Sequence, residues 1–197
     1  MFELIFKPLN YLSIRWDNGL INKTRFDFIV PLLVTIILSA IMTFLYFKIG
    51  TKNSNIFTND LTYYLICFLQ TMPGFYIAAL AAISTINSTT MDQPMAGDPP
   101  KERYVEHNPY KVFWINMNRR RFLARLFSYL TFISITLFCF LLVIRFSYSL
   151  EITIISLPYL VYIVYFFSCV VVIFLLVQLI MMTFLSLYYL GERVHKN

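Results

Sequence analysis

The sequence is poor in charged residues, which make up 13% of its 197 residues, against about 25% in an ordinary soluble domain. Hydrophobic residues make up 59%, and the mean hydropathy is +0.69. A water-soluble core cannot shield that much apolar surface, so the composition excludes a soluble globular domain. Glycine is also scarce, with five residues, whereas there are 20 phenylalanines and 14 tyrosines. This balance is typical of packed helices in lipid.

Cysteine and histidine are equally scarce. The three cysteines, Cys67, Cys139 and Cys169, lie inside apolar runs, where we interpret them as packing residues rather than a disulfide framework. The two histidines, His107 and His195, lack the i, i+4 pairing of a metal-binding helix. We therefore predict no metal site, no cofactor and no catalytic residue, and hence a protein that is not an enzyme.

Long apolar runs are what the sequence does contain. Four of them reach the ~18 residues that a helix needs to cross the ~30 Å hydrocarbon layer. They predict a single all-α domain, a polytopic membrane protein with four transmembrane helices. The predicted segments are an arm (1–27), the four spans (28–47, 61–86, 122–145 and 158–190), a middle loop (87–121) between the second and third spans, and a tail (191–197).

The basic residues are distributed unevenly between the two ends of these spans. Thirteen Lys and Arg residues lie in the arm, the middle loop, the first turn of the third span (Arg125) and the tail, against three at the opposite ends of the spans, Lys48, Lys52 and Arg145. Basic residues that flank a span resist translocation. We therefore predict that both termini and the middle loop are cytoplasmic, in an inner, cytoplasmic-type membrane.

Two segments outside the spans have predictable local structure. In the arm, Leu4, Ile5, Leu9 and Leu12 lie among polar residues, which predicts a short helix lying against the headgroups, although Pro8 disfavours a continuous one. In the middle loop, the stretch Met95-Ala-Gly-Asp-Pro-Pro100 and a further proline, Pro109, predict an extended or turning first part. A short helix is predicted over Val112–Asn118, leading into the third span.

Small residues recur at four-residue spacing in the second span, at Gly74, Ala78 and Ala82. This spacing places them on one helix face, where a neighbouring backbone can approach closely. Two interpretations remain open: packing within the same bundle, or an interface between subunits of an oligomer.

Polar residues within the spans are few. Gln70 and Pro73 lie close together in the second span, and Gln178 is the comparable amide in the fourth. They predict either a hinge or pore constriction, or a tolerated kink with interhelical hydrogen bonds. No Asp, Glu, Lys, Arg or His falls centrally in a predicted span, which disfavours ion-coupled transport and proton relays. A passive channel is not excluded by this absence.

Four arginines cluster where the third span begins, at Arg119, Arg120, Arg121 and Arg125. One interpretation is that they hold the cytoplasmic end of the span and contact anionic lipid. The other is a docking patch for an acidic partner or a nucleic acid. We predict that they contact a partner or lipid.

The stretch Asn118-Arg-Arg-Arg-Phe-Leu-Ala-Arg125, together with four spans and a long proline-containing loop, resembles the KwaA family, the membrane subunits of bacterial Kiwa antiphage systems. The resemblance implies a homo-oligomer, plausibly a tetramer, that detects phage attack at the envelope. It also implies a cytoplasmic DNA-binding partner of the KwaB type, so no direct nucleic-acid binding is expected of this chain.

Two functions are therefore considered. The first is a non-enzymatic membrane sensor and scaffold that recruits a soluble effector. The second is a small oligomeric channel or holin-like permeabiliser of the membrane.

Overall fold

The computed structural model of the chain is mostly helical, and four of its helices are long and apolar enough to cross a membrane. The prediction of four such helices is confirmed. The structure describes residues 2–18, 21–49, 55–87, 89, 91–94, 99–107, 110–149 and 158–193. The helices are α1 (Phe2–Ile5), α2 (Val30–Ile49), α3 (Asp60–Thr85), α4 (Arg119–Ser149) and α5 (Pro158–Tyr188).

Four shorter helical segments among the described residues extend or connect these helices, and one of them, the 3-10 helix Ile56–Thr58, lies just before α3. A 3-10 helix covers Lys7–Ser13, with Pro8 in its first turn, where the missing N–H of proline costs nothing. A π-helical segment, Arg25–Ile29, leads directly into α2, and another, Tyr189–Arg193, follows α5. The candidate spans are therefore Arg25–Lys48, Asp60–Thr85, Arg119–Ser149 and Leu160–Gly191.

The prediction of an all-α fold is wrong in the middle loop. Strand β3 (Lys101–His107) pairs antiparallel with β4 (Tyr110–Asn116), in a register that runs from Lys101 opposite Asn116 to His107 opposite Tyr110. The helix predicted over Val112–Asn118 is therefore absent, because this segment consists largely of aromatic and β-branched residues that favour a strand and β3 supplies the partner. A smaller hairpin in the arm joins β1 (Asp17–Asn18) to β2 (Ile21–Asn22).

Helix α4 lies at the centre of the bundle. In its most apolar stretch 44% of the residues are buried, against 17% in those of α2 and α5. α3 packs against α4, α4 packs against α5, and α5 packs against α2. The buried residues of α4 recur every three or four positions, as an apolar helix face requires, and include Phe122, Leu126, Leu130, Ile133, Leu137, Leu141 and Ile144.

Helix α2 packs through small side chains. Pro31, Thr35 and Ser39 are buried at four-residue spacing, and α5 is the helix against which α2 packs. Close approach of two backbones needs small residues at the contact. The small-residue face predicted from the sequence lies on α3, whereas the face of α2 that packs in this way was not among the predictions.

Candidate functional site

The arm, the middle loop and the adjoining helix ends meet at one end of the bundle, here called the basic end. Arg15 in the arm exchanges two backbone hydrogen bonds with Lys101 at the start of β3, of 2.8 and 3.0 Å. The ring of Trp16 lies 5.3 Å from that of Tyr189, after the end of α5. Segments far apart in the sequence therefore form one surface at this end.

Arg119 and Arg120, the first two residues of α4, are engaged within the fold. Arg119 is buried. Arg120 donates to both carboxylate oxygens of Asp92, over 2.8 Å (Nε to Oδ1) and 3.2 Å (Nη2 to Oδ2), and Nη1 donates to the carbonyl oxygen of Ile83 over 3.0 Å. The last carbonyl groups of a helix lack hydrogen-bond partners within it, so Arg120 caps the C-terminal end of α3 through Ile83. Its contacts with Asp92 hold the loop that follows α3.

Arg121 and Arg125 share one carboxylate, that of Glu102 on β3. The Arg121 Nη2 atom lies 3.2 Å from Oε2, and Arg125 donates to Oε1. These contacts hold the β3–β4 hairpin against α4. Arg121 nevertheless keeps 61% of its side chain exposed, so it is the arginine of this group best placed for partner or lipid contact, which stays a prediction.

Replacing Arg120 by glutamine is expected to lower the free energy of unfolding by about 1–3 kcal/mol, since the shorter neutral side chain loses Asp92 and leaves the Ile83 carbonyl oxygen without this donor. The matched control, Arg121→Gln, loses only a surface ion pair and should cost less than about 1 kcal/mol. The thermal unfolding midpoints of the two variants in mild detergent measure the difference. Equal midpoints would contradict the role given to Arg120.

The small residues of α3 point away from the bundle. Ala78 and Ala82 are exposed, and a Cβ added at Gly74 would meet no described atom within 4 Å. In a single chain this face is therefore open rather than packed against another described helix. Of the two interpretations given above, only the interface between subunits remains as a prediction.

The two span amides lie in different surroundings. Gln70 is exposed on α3, which continues without interruption through Pro73. Gln178 on α5 is 2% exposed, and its Nε2 donates to the backbone carbonyl oxygen of Asp27 over 3.1 Å. Gln178 thus forms an interhelical hydrogen bond at the basic end, whereas Gln70 remains available on the outer surface.

A buried ion pair lies where the arm enters α2, and the sequence analysis did not single it out. The ammonium nitrogen of Lys23 donates to the carbonyl oxygens of Tyr11, Leu12 and Ile14, over 2.7, 3.3 and 2.8 Å. It also lies 3.8 Å from Oδ2 of Asp27. Asp27 is 1% exposed, and neither of its carboxylate oxygens has a hydrogen-bond partner among the described residues.

The protonation of this pair depends on its burial. Burial lowers the pKa of Lys23 to about 8, although the nearby Asp27 carboxylate opposes that shift. At neutral pH the ammonium is therefore still largely charged. Burial also raises the pKa of Tyr11 well above its usual value, and Asp27 adds to this increase. The sequence pattern that could have identified this ion pair is the i, i+4 spacing of Lys23 and Asp27 immediately before an apolar run.

A cavity of about 650 Å³ lies beside this pair, between the arm and the β3–β4 hairpin, and is here called the arm pocket. Its polar and aromatic lining includes Arg15, Trp16, Lys23, Asp27, Arg103 and Trp114. The Arg15 guanidinium carbon lies 4.4 Å from the centroid of the Trp114 ring. The volume of the pocket is in the range of a small-molecule or headgroup site. The arm and the hairpin form the pocket together, so neither segment forms it alone.

No protein-family model, curated protein or solved structure matches this chain. The resemblance to the KwaA family therefore rests on the architecture and the stretch from Asn118 to Arg125, and stays a prediction. Within the described ranges, no group of three or more His, Cys, Asp or Glu side chains is close enough to hold a metal ion. The geometry of the basic end thus carries the functional argument.

Proposed function

We propose that the protein is a non-enzymatic membrane sensor and scaffold of a bacterial antiphage defence system. It lies in the inner membrane as an oligomer, with its termini and middle loop in the cytoplasm, and recruits a soluble DNA-binding effector of the KwaB type. The observation that carries this proposal is an exposed apolar face on the β3–β4 hairpin, outside the four candidate spans.

This face is formed by Tyr104, Phe113 and Ile115, which are 56%, 46% and 47% exposed. Tyr104 lies directly opposite Phe113 in the register, and residues paired in this way point to the same side of a hairpin. Ile115 is two positions further along β4 and shares that side. Exposed apolar patches mark protein–protein or membrane interaction sites, and the position of this one outside the four candidate spans favours a protein partner.

The neighbouring contacts favour a rigid docking surface. Glu102, opposite Ile115 in the register, pairs with Arg121 and Arg125 of α4. The hairpin is therefore held against a span, and the exposed charge of Arg121 lies beside its apolar face. Aromatic residues and arginine are enriched in the energetically dominant parts of interfaces.

We expect Tyr104→Ser/Phe113→Ser to abolish retention of cytosolic proteins by the full chain purified in mild detergent, because both exposed aromatic groups of this face are removed. The matched control is Val112→Ser, also an exposed apolar residue and a neighbour of Phe113 on β4, whose side chain points to the opposite face. Mass spectrometry of the co-purified proteins measures the effect. If both variants retain the same partners as the wild type, the scaffold function is wrong.

Oligomer formation is supported by the outward face of α3. Gly74, Ala78 and Ala82 offer a smooth surface that is open in the single chain, and small residues of this kind allow close packing of helices between subunits. The tetrameric number comes from the resemblance to the KwaA family alone.

The second candidate function, an oligomeric channel, is favoured by one specific observation. Gln70 is exposed and lies four residues before Gly74, hence on the same helix face. A polar amide facing lipid is unfavourable, so this face belongs in a subunit interface or a water-filled pore. Ion flux through reconstituted liposomes that falls on Gln70→Leu would favour the channel, whereas an absence of flux in the wild type would exclude it.

A further inference from the structure

The arm pocket contains a surplus of positive charge. Lys23 and Asp27, both more than nine-tenths buried, form an ion pair that is close to neutral as a unit. The remaining charges are the guanidinium groups of Arg15 and Arg103. Among the carboxylates whose side chains the structure describes, none pairs with either of them. A bound anion would therefore meet two positive charges and no opposing net charge.

The orientation of Arg15 suits it to an anion. Its guanidinium group stacks on the ring of Trp114, which fixes the plane of the group without using its N–H donors. Arg103 lies directly opposite Trp114 in the register, so its side chain emerges on the same side of the hairpin. Two planar guanidinium groups that both line the cavity suit the oxygens of a phosphate.

The other edge of the pocket is apolar and continues into a candidate span. Phe28 lines the pocket and is 40% exposed, and Ile29, the next residue, is 46% exposed. Both belong to the candidate span Arg25–Lys48. A ligand with a phosphate at one end and acyl chains at the other can therefore place the phosphate between the arginines and its chains along α2.

We propose that the arm pocket binds the phosphate headgroup of an anionic phospholipid, with Arg15 and Arg103 as the phosphate contacts. Tryptophan is typical of the membrane–water boundary, and basic pockets at the cytoplasmic side of spans hold anionic headgroups. The buried Lys23–Asp27 pair shapes the floor of the site by fixing the arm to the start of α2. This site goes beyond the scaffold function and does not depend on it.

The chain supplies its own reporter for this proposal. It has two tryptophans, Trp16 and Trp114, and both line the arm pocket. The experiment titrates the full chain in nonionic detergent with short-chain phosphatidylglycerol, while tryptophan emission is recorded. Phosphatidylcholine of the same chain length and soluble glycerol phosphate are titrated in parallel. A saturable change is expected with phosphatidylglycerol, at a midpoint about tenfold or more below those of the other two compounds.

Two variants test whether the change in tryptophan emission arises from lipid binding in the arm pocket. Arg15→Gln/Arg103→Gln is expected to raise the phosphatidylglycerol midpoint by about tenfold or more, since both cations that face the phosphate are removed. The matched control is Arg25→Gln, an exposed arginine at the same end of the span that does not line the pocket. Its midpoint is expected to stay within about twofold of the wild type. Native mass spectrometry of lipid that co-purifies with each variant provides a second readout independent of the tryptophan signal.

Three results would overturn the proposal. Equal midpoints for phosphatidylglycerol and phosphatidylcholine would mean that the pocket does not select an anion. An equal midpoint for glycerol phosphate would assign the site to a soluble phosphate compound instead of a lipid. An equal loss of affinity in Arg25→Gln and in the double variant would attribute binding to general surface charge rather than to the arm pocket.

Discussion

Replacing Lys23 by methionine is expected to lower the free energy of unfolding by about 3–5 kcal/mol, which is the usual cost of removing one partner from a buried ion pair. Two losses combine in this variant. Asp27 keeps a buried carboxyl without its counter-ion, and the carbonyl oxygens of Tyr11, Leu12 and Ile14 lose the donor they share. Methionine has a similar length, so the variant removes the charge and the donors with little change in volume.

The measurement is the midpoint of thermal unfolding in mild detergent, which is expected to fall by roughly 6–20 °C. Lys7→Met is the matched control, because Lys7 is exposed in the same arm, and its midpoint should stay close to that of the wild type. Lys23→Met/Asp27→Leu should recover part of the loss, since the uncompensated carboxyl is gone but the three carbonyl oxygens still lack a donor. A Lys23→Met midpoint equal to that of Lys7→Met would show that the pair does not stabilise the fold.

Phe122→Ala is expected to cost about 3–5 kcal/mol of stability through the cavity that it leaves. The Phe122 side chain is fully buried in α4, and its ring centroid lies 5.8 Å from that of Trp16, 6.3 Å from that of Tyr11 and 5.4 Å from that of Tyr189. The phenyl ring therefore links the arm to both α4 and the end of α5. Its removal should loosen the arm as well as lower the stability of the bundle.

The matched control for this variant is Phe146→Ala on the same helix. Phe146 is 64% exposed, so its removal leaves no internal cavity and should change stability by less than about 1 kcal/mol. Two measurements separate the variants: the thermal unfolding midpoint, and the rate of trypsin cleavage after Arg15 in the arm. If the two phenylalanines prove equivalent in both measurements, the arm is not anchored through the ring of Phe122.

The four arginines Arg119, Arg120, Arg121 and Arg125 show what could and could not be predicted from the sequence. Their position at the start of a span, and the meaning of their charge for topology, follow from neighbouring residues alone. Their partners do not: Asp92 and Glu102 lie in a loop whose sequence contains basic residues and prolines as well, and nothing local indicates which acid meets which arginine. Only the fold shows that Arg120 closes α3 and that Arg125 holds the hairpin.

The hairpin and the face of α3 show the same limit. Val112 to Ile115 satisfy the preference of a strand, but a strand needs a paired strand, and the choice between helix and strand depended on residues 101–107. In α3 the spacing of Gly74, Ala78 and Ala82 predicted that these small residues share one helix face. Whether this face points into the bundle or away from it depended on where the other helices lie.

The sequence by itself determined the four long apolar helices and the concentration of basic charge at one end of them, because run length, hydropathy and charge are properties of contiguous residues. The tertiary structure decided that Lys23 and Asp27 are buried together, that both tryptophans line one cavity, and that the hairpin is held against α4 with an apolar face exposed. Each of these features joins segments that are separate in the chain. Which segments come together is determined by packing and by the cost of burying unpaired charge. Neither can be inferred from the pattern of contiguous residues.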